Sequence, residues 1–320
     1  MFARGESSMQ TSSRISIAVI ASREHPDTLK ATLQTLSSAA HKPATIDVVV
    51  NGNRLLAEDI RGQIVSLRQE NGNVEFRLWF IALGDKAHAW NTYVHRIWPE
   101  YGATFFVDGY VRAFPAALQF LEQGLDSGPD VWCSSGVPSV GRSSGSLRRL
   151  QFKDHGIHGN LFCLSGEAMQ RARARSFHLP LGLYRVDSTI EAVIKYSFDP
   201  KGSNWNANRV YVESRASWET DEKRWWSWSD IKGQFKRLIR QAQGDLENQA
   251  VRHHLTVCKR PPEEMSGSVS ELIERWILEN PTQSGALLRN PLRRYALDQV
   301  RKSQSRFACS VLPERFDGSA

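Results

Sequence analysis

Short apolar runs alternate with amphipathic stretches through the first half of the chain. Ile15–Ala21 reads ISIAVIA and residues 46–50 read IDVVV. Runs this apolar and this rich in β-branched residues predict strands buried on both faces of a sheet. Residues 74–83 predict a third strand, 104–107 (TFFV) a fourth and 131–134 another. Between them lie helical patterns. Asp27 can cap a helix whose apolar face is Leu29, Leu33 and Leu36. Residues 55–68 place Ile60, Ile64 and Leu67 on one side, and residues 87–97 and 114–125 also read as helices. Asn51-Gly52-Asn53 is a strong turn signal that stops the second strand.

This alternation predicts an α/β protein: a mostly parallel, Rossmann-like sheet with helices on both faces. Ligands of such sheets bind beyond the carboxyl ends of the strands, which selects residues 21–23, 51–53, 83–86 and 108–110. The pattern then changes. Residues 141–145 (GRSSG) and 154–159 (DHGIHG) read as connections, and 162–172 as a strand edge running into a helix. From Asp230 onward the chain reads as mainly helical. Ile231, Phe235, Leu238, Ile239 and Leu246 form an apolar stripe flanked by Lys232, Lys236, Arg237 and Arg240. A linker is expected at 260–268 (RPPEEMSGS), then helices at 269–279 and near 292–302. The chain thus divides into a tail (1–14), an α/β unit (15–225) and a helical C-terminal region (226–320).

Composition narrows the class. At 320 residues, 41% hydrophobic and 23% charged, the chain can bury a large core and is not a disordered polymer. No apolar run reaches the roughly 18–20 residues of a membrane span, and the first fourteen residues lack the apolar core of a secretory signal. The four cysteines, Cys133, Cys163, Cys258 and Cys309, contain no Cys-x-x-Cys pair. That spacing reads as neither a disulfide framework nor a structural zinc site, and makes a reducing, cytoplasmic setting the default. The net charge of +7 is uneven: residues 1–200 carry 21 basic and 19 acidic groups, residues 201–320 carry 20 and 15. The basic excess of the last third suits a peripheral contact with an anionic membrane surface, or an ordinary solvated face. No nucleic-acid-binding signature accompanies it.

The residues at the strand ends carry a more specific signal. The opening ISIAVIAS with its Leu29/Leu33 helix, LGDKAHAWN (83–91), FFVDGYVRAFPAAL (105–118), HGNLFCLSGEAM (158–169) and VDSTIEAVI (186–194) occur in this order. The series resembles the family 2 glycosyltransferases, nucleotide-sugar enzymes of the GT-A fold, over about residues 14–200. The resemblance implies transfer of a sugar, from a UDP-sugar first of all, to an acceptor that it does not name, with inversion by a carboxylate base. It places the donor at Ala21, Arg23, Asn51, Lys86, Asp108 and Tyr110, and the acceptor at His158, Glu167 and Trp225. Asp187 takes the place of the base. Asp108 takes the place of the metal ligand, for Mn²⁺ or Mg²⁺. The departures are specific: Asn51 and Tyr110 stand where the family has Asp, and Val186 where it has Glu. The processive Gln-x-x-Arg-Trp motif is matched only by Arg224-Trp225.

Each residue also has a plainer reading. Asp108-Gly109 is a common turn pair, and Asp187-Ser188-Thr189 is a plausible helix N-cap. Sugar transfer needs positive charge for the departing diphosphate and a base for the acceptor hydroxyl. A neutral phenol is a poor ligand for a hard cation, so with Tyr110 in the motif either Asp108 finds other help or Lys86 and Arg23 supply the charge. Val186 and Leu183 give Asp187 apolar surroundings, with Glu191 one turn beyond. His155 and His158 read as loop histidines, and Glu167 as an acceptor contact or a solvated helix face. Trp225, Trp226 and Trp228 beside Lys223 and Arg224 read as core packing, or as a sugar or interface surface. Two rivals stay open: a GT-A-like nucleotide or glycan binder without turnover, and a binder of nucleic acid or an anionic surface through the basic C-terminal region.

Overall fold

The β-branched runs become the centre of a single sheet. The computed structural model describes residues 14–70, 72–140, 144–220, 228–303 and 312–316, with backbone alone over 228–236. Strands β1 (Ile15–Ala21), β2 (Ala44–Asn51), β3 (Val74–Ile81) and β4 (Thr104–Asp108) run parallel in the order β3-β2-β1-β4. Every residue of β1, β2 and β4 is buried, as continuous apolar runs require. Helices α1 (Pro26–Ala39), α2 (Arg54–Glu70) and α3 (Lys86–Thr92) make the crossovers, and a π-helical turn at Tyr93–Ile97 extends α3. The start of α1 differs from expectation. His25 caps it, Nδ1 accepting from Asp27 N at 3.3 Å, because Pro26 opens the helix and carries Asp27 into the first turn.

The second half completes the sheet with mixed polarity. After β5 (Arg112–Ala113) and α4 (Ala117–Leu125) come β6 (Cys133–Pro138), α5 (Ser144–Asp154), β7 (Leu161–Leu164), α6 (Gly166–Ala174), α7 (Val186–Lys195) and β8 (Val210–Glu219). The helices α8 (Trp228–Arg252), α9 (Val269–Glu279), α10 (Pro281–Leu287) and α11 (Pro291–Ser303) follow, and β9 (Glu314–Arg315) closes the far edge. The full order is β5-β8-β6-β7-β4-β1-β2-β3-β9. β7 is antiparallel to β4 and β6, and β5 and β9 also run against their neighbours, so five of the other described strands point with β1. Two elements depart from the sequence pattern. β8 (VYVESRASWE) was hidden by its polar residues, and α5 begins at Ser144, inside the segment expected as a connection; residues 141–143 lie outside the described set.

Two apolar layers sandwich the sheet. Alternate residues of β1 point opposite ways: Ile17 and Val19 join Leu33 and Ile60 on one side, while Ala18 and Ile20 join Trp90, Phe106 and Phe177 on the other. Leu246, Leu272, Trp276 and Leu297 belong to that second layer, so α8, α9 and α11 share a continuous core with the sheet. The expected linker at 260–268 is docked, not free. Leu181 N bonds Gly267 O, Val269 N bonds Leu181 O, both at 2.9 Å, and Met265 and Ser266 are buried. The α8 stripe is also corrected: Leu238 is 49% exposed, and the buried face runs at every fourth residue through Ala242, Leu246 and Ala250. The side chains of Ile231, Lys232, Phe235 and Lys236 lie outside the described residues. Among the described residues no helix is long and apolar enough to cross a membrane.

Candidate active site

The carboxyl ends of β1 and β2 are tied into one rim. Asn51 is buried and donates from Nδ2 to Ala21 O at 2.8 Å, and Ser22 Oγ returns a bond to Asn51 O at 2.8 Å. Asn53 donates to Ser22 O at 2.9 Å and caps α2 through Oδ1, 3.1 Å from Leu56 N. At Gly52 (φ 69°) a Cβ would stand 2.4 Å from Gly84 Cα, so the loops after β2 and β3 touch backbone to backbone. Ala21 and Asn51 therefore build the rim through hydrogen bonds within the chain. Arg23 is exposed on it, its backbone N–H bonded to Glu24 Oε2 at 2.8 Å.

The next group gathers where β4 ends. The register pairs Ile20 with Asp108 and Val107 with Leu161, which sets Asp108 between the β1 rim and the Gly159–Asn160 approach to β7. Asp108 is buried, and Oδ1 accepts from Lys86 Nζ at 2.5 Å. Its Oδ2 accepts from the Tyr110 hydroxyl at 3.0 Å, which also lies 3.3 Å from Asn160 Oδ1. Lys86 opens α3, whose N-cap Asp85 accepts from His88 N at 2.6 Å and, with its other oxygen, from Gly182 N at 2.9 Å. Burial pulls the Lys86 ammonium down, but Asp108, Asp187 and Glu24 outweigh it and hold the group above the ordinary lysine value. Burial, then Asp108, pushes the Tyr110 phenol up, so it stays a neutral donor.

Asp187 faces this group from the first turn of α7. Its Oδ2 accepts from Gly159 N at 3.2 Å and its Oδ1 from Ser188 N at 3.0 Å. The helix start is held from elsewhere: the buried Glu247 of α8 accepts from Tyr184 N at 3.0 Å and Arg185 N at 2.8 Å. Burial pushes the Glu247 carboxyl up, and those backbone donors pull it back. One turn past Asp187, Glu191 accepts from Ile157 N at 2.9 Å and pairs with Lys195 at 2.7 Å; burial raises it, against the pull of Lys195. His158 packs at a tilt against Trp218, ring centroids 4.7 Å apart, and is held below the ordinary imidazole value by burial, despite Asp187 and Asp108 nearby. Lys86, Asp108, Gly159 and Asp187 line one cleft floored by Trp90 and Phe162.

The expected residues thus divide. Lys86, Asp108, Tyr110 and Asp187 converge, with His158 beside them. Glu167 does not join: β7 runs against β4, pairing Leu164 with Thr104, so α6 starts at the opposite edge of the sheet and Glu167 pairs with Arg171 at 3.1 Å. His155 turns away, Nδ1 3.1 Å from Val210 O. Trp225 lies outside the described residues. Sequence reasoning missed Asn160, although it sits in the quoted HGN, and it missed Asp85 and Glu247, which act on backbone far away in sequence.

A divalent cation is not a fit for the donors present. Lys86 holds one oxygen of Asp108 and Tyr110 the other, placing an ammonium where a cation would approach. Among the described residues Asp108 belongs to no set of three His, Cys, Asp or Glu ligand atoms within 4.8 Å.

No protein-family model matches the chain, and no curated protein does. Solved structures do. A mannosyltransferase from Pyrobaculum calidifontis, in complex with GDP-Man and Mn²⁺, aligns over 91% of this chain and 87% of its own at 15% identity, with a TM-score of 0.55. Glucosyl-3-phosphoglycerate synthase from Mycobacterium tuberculosis, in complex with Mn²⁺, UDP-Glc and phosphoglyceric acid, aligns over 77% and 80% at 12% identity, with a TM-score of 0.48. Likeness to the first shows the fold: the sheet and its helices have the GT-A arrangement of nucleotide-sugar glycosyltransferases.

Proposed function

We propose that this chain transfers one sugar from a nucleoside-diphosphate sugar to an acceptor hydroxyl. The observation that carries the reading is the meeting of Lys86, Asp108 and Asp187 around one cleft at the carboxyl edge of the sheet, with Tyr110 bonded to Asp108 beside it. That edge is where open α/β sheets bind ligands. In the transfer, a lone pair of the acceptor oxygen forms the new bond to the anomeric carbon. The bond from that carbon to the diphosphate oxygen breaks, and the nucleoside diphosphate departs with the electron pair. The acceptor proton passes to Asp187, positioned by Gly159 N. Lys86 balances the charge growing on the leaving group, and Asp108 with Tyr110 holds Lys86 in place. Attack from the side opposite the leaving group inverts the anomeric centre.

Thermal melting with UDP, GDP, CMP and their sugars, each with Mn²⁺ and with EDTA, tests the donor site. Ligand at 100 times its dissociation constant adds about 2.7 kcal/mol, and UDP-sugars are the first donors to try. A shift with one diphosphate nucleotide supports the reading, and none with any nucleotide defeats it. A shift without sugar release to a panel of glycan, lipid and peptide acceptors would make the chain a binding protein on this fold.

A further inference from the structure

We infer that His253, Cys258 and Glu279 form a zinc site that ties the end of α8 to the end of α9. It stands on residues the transfer reaction does not use. The absence of a Cys-x-x-Cys pair argued against zinc, but the structure assembles a mixed set of ligands that no short motif contains. The imidazole Nε2 lies 2.8 Å from Glu279 Oε2 and 3.2 Å from Cys258 Sγ, and Sγ lies 3.8 Å from Oε2. In a tetrahedral site with Zn–S of about 2.3 Å and Zn–N and Zn–O of about 2.0–2.2 Å, ligand atoms stand roughly 3.3–3.6 Å apart. The three atoms need to move by only a few tenths of an ångström to reach that spacing. Nitrogen, sulfur and carboxylate oxygen are also the donor types that zinc takes together.

The backbone explains how they meet. At about 100° per residue, an α-helix would set residues five apart roughly 140° around its axis. Here α8 ends in a π-helical turn, His253–Val257, and Cys258 N bonds His253 O at 2.9 Å. The wider turn brings residues 253 and 258 onto one side; such single turns recur at functional sites. Glu279, the last residue of α9, closes the set.

The surroundings suit an ion that enters from solvent. The His253 side chain is nearly buried, while Cys258 is half-buried and Glu279 exposed, which leaves a fourth position for water. Asn280 lies 3.1–3.2 Å from the ring nitrogens of His253 and bonds Trp276 O, which holds the imidazole against α9. Arg260 spans the Glu279 carboxylate, Nη2 to Oε1 at 2.9 Å and Nη1 to Oε2 at 3.1 Å. Zinc would displace the second contact and leave the first to orient the carboxylate. The thiolate and the carboxylate together neutralise the dication, and binding releases the thiol proton.

The test is zinc stoichiometry and competition on the full chain, stripped of metal and titrated with Zn²⁺ against a chromophoric chelator. The wild type should bind one equivalent, and Co²⁺ in its place should give a thiolate-to-metal charge-transfer band. Cys258→Ser should lose the band and weaken zinc binding at least a hundredfold, and His253→Gln should weaken it similarly. Asp108→Asn, in the cleft, should retain full stoichiometry. Metal-free melting of each variant checks that it folds, and either ligand variant serves if the other does not. No zinc bound by the wild type, or the same zinc bound by both ligand variants, would overturn the site.

Discussion

Two places in this molecule gather groups that attract cations, and they differ in the chemistry of their donors. At the sheet edge, Asp108 is ringed by hydrogen donors: the Lys86 ammonium on one oxygen and the Tyr110 hydroxyl on the other. At the end of α8, Glu279 also holds a cation, Arg260, but an imidazole nitrogen and a sulfur converge on the same oxygen. Both carboxylates have a basic partner, so counting charges does not separate the sites. The number and softness of the other lone pairs does. One arrangement already holds a cation of its own; the other has the ligand set to take one from solution.

The strongest way to break this comparison is to remove the base and the built-in cation in turn. Asp187→Asn should cost about 10²–10⁴-fold in sugar transfer, the usual worth of a positioned base, with the melting shift on donor binding retained. Turnover near wild type in that variant would remove Asp187 from the reaction. Lys86→Ala should lower transfer by about 10²–10³-fold, the scale of one lost charge-stabilising donor, and should weaken donor binding as well. A sharper version uses chelation. In a Cys258→Ser background, so that the zinc cluster does not confuse the result, donor binding should survive EDTA. Donor binding that collapses in EDTA would show that Asp108 takes a metal after all, and that Lys86 gives way to it.

What the sequence revealed follows the same division. β1, β2 and β4 were legible because strands buried on both faces must be apolar throughout, and the carboxyl ends of β3 and β4 located Lys86, Asp108 and Tyr110 at the edge where they meet. β8 was not, because its ten residues mix Glu213, Ser214 and Arg215 into the run, and pairing with β6 holds it in the sheet. Glu167 was misplaced because an antiparallel strand reverses which edge its following helix begins on, and nothing in LFCL announces its direction. The His253–Cys258 spacing was invisible as a site because it works only on a π-helical turn, and helical periodicity gives no warning of one.

An intermediate effect is expected from Glu247, which joins the two halves of the second layer. Its carboxylate serves the backbone N–H groups of Tyr184 and Arg185 just before the helix that carries Asp187. Glu247→Ala would leave those partly buried donors without their carboxylate, at about 1 kcal/mol, the low end for a lost partner, read as a drop in melting temperature. A larger loss in kcat than in donor affinity would show that α8 also positions the base. Equal stability of the variant and the wild type would mean that the helix start of α7 holds itself.

The smallest effect comes from protonation away from both clusters. His95 is held below the ordinary imidazole value by burial, with His178 stacked at 4.0 Å and Arg173 and Arg96 nearby, against the pull of the Phe177 carbonyl at 2.7 Å. A base with a depressed folded-state pKa contributes stability that is complete above its unfolded value, about 6.5. That contribution is lost as pH falls through the folded value, because the unfolded chain takes the proton first. Raised carboxyls such as Glu191 and Asp85 act in the opposite sense, stabilising the fold as acid protonates them. Wild-type melting alone therefore mixes the two signs, and the informative quantity is a difference. His95→Gln, which keeps a donor for Phe177 O, should lose less melting temperature than the wild type between about pH 7.5 and about pH 5.5, a window that brackets the imidazole value. Parallel curves for the two proteins would show that His95 titrates as freely in the fold as out of it.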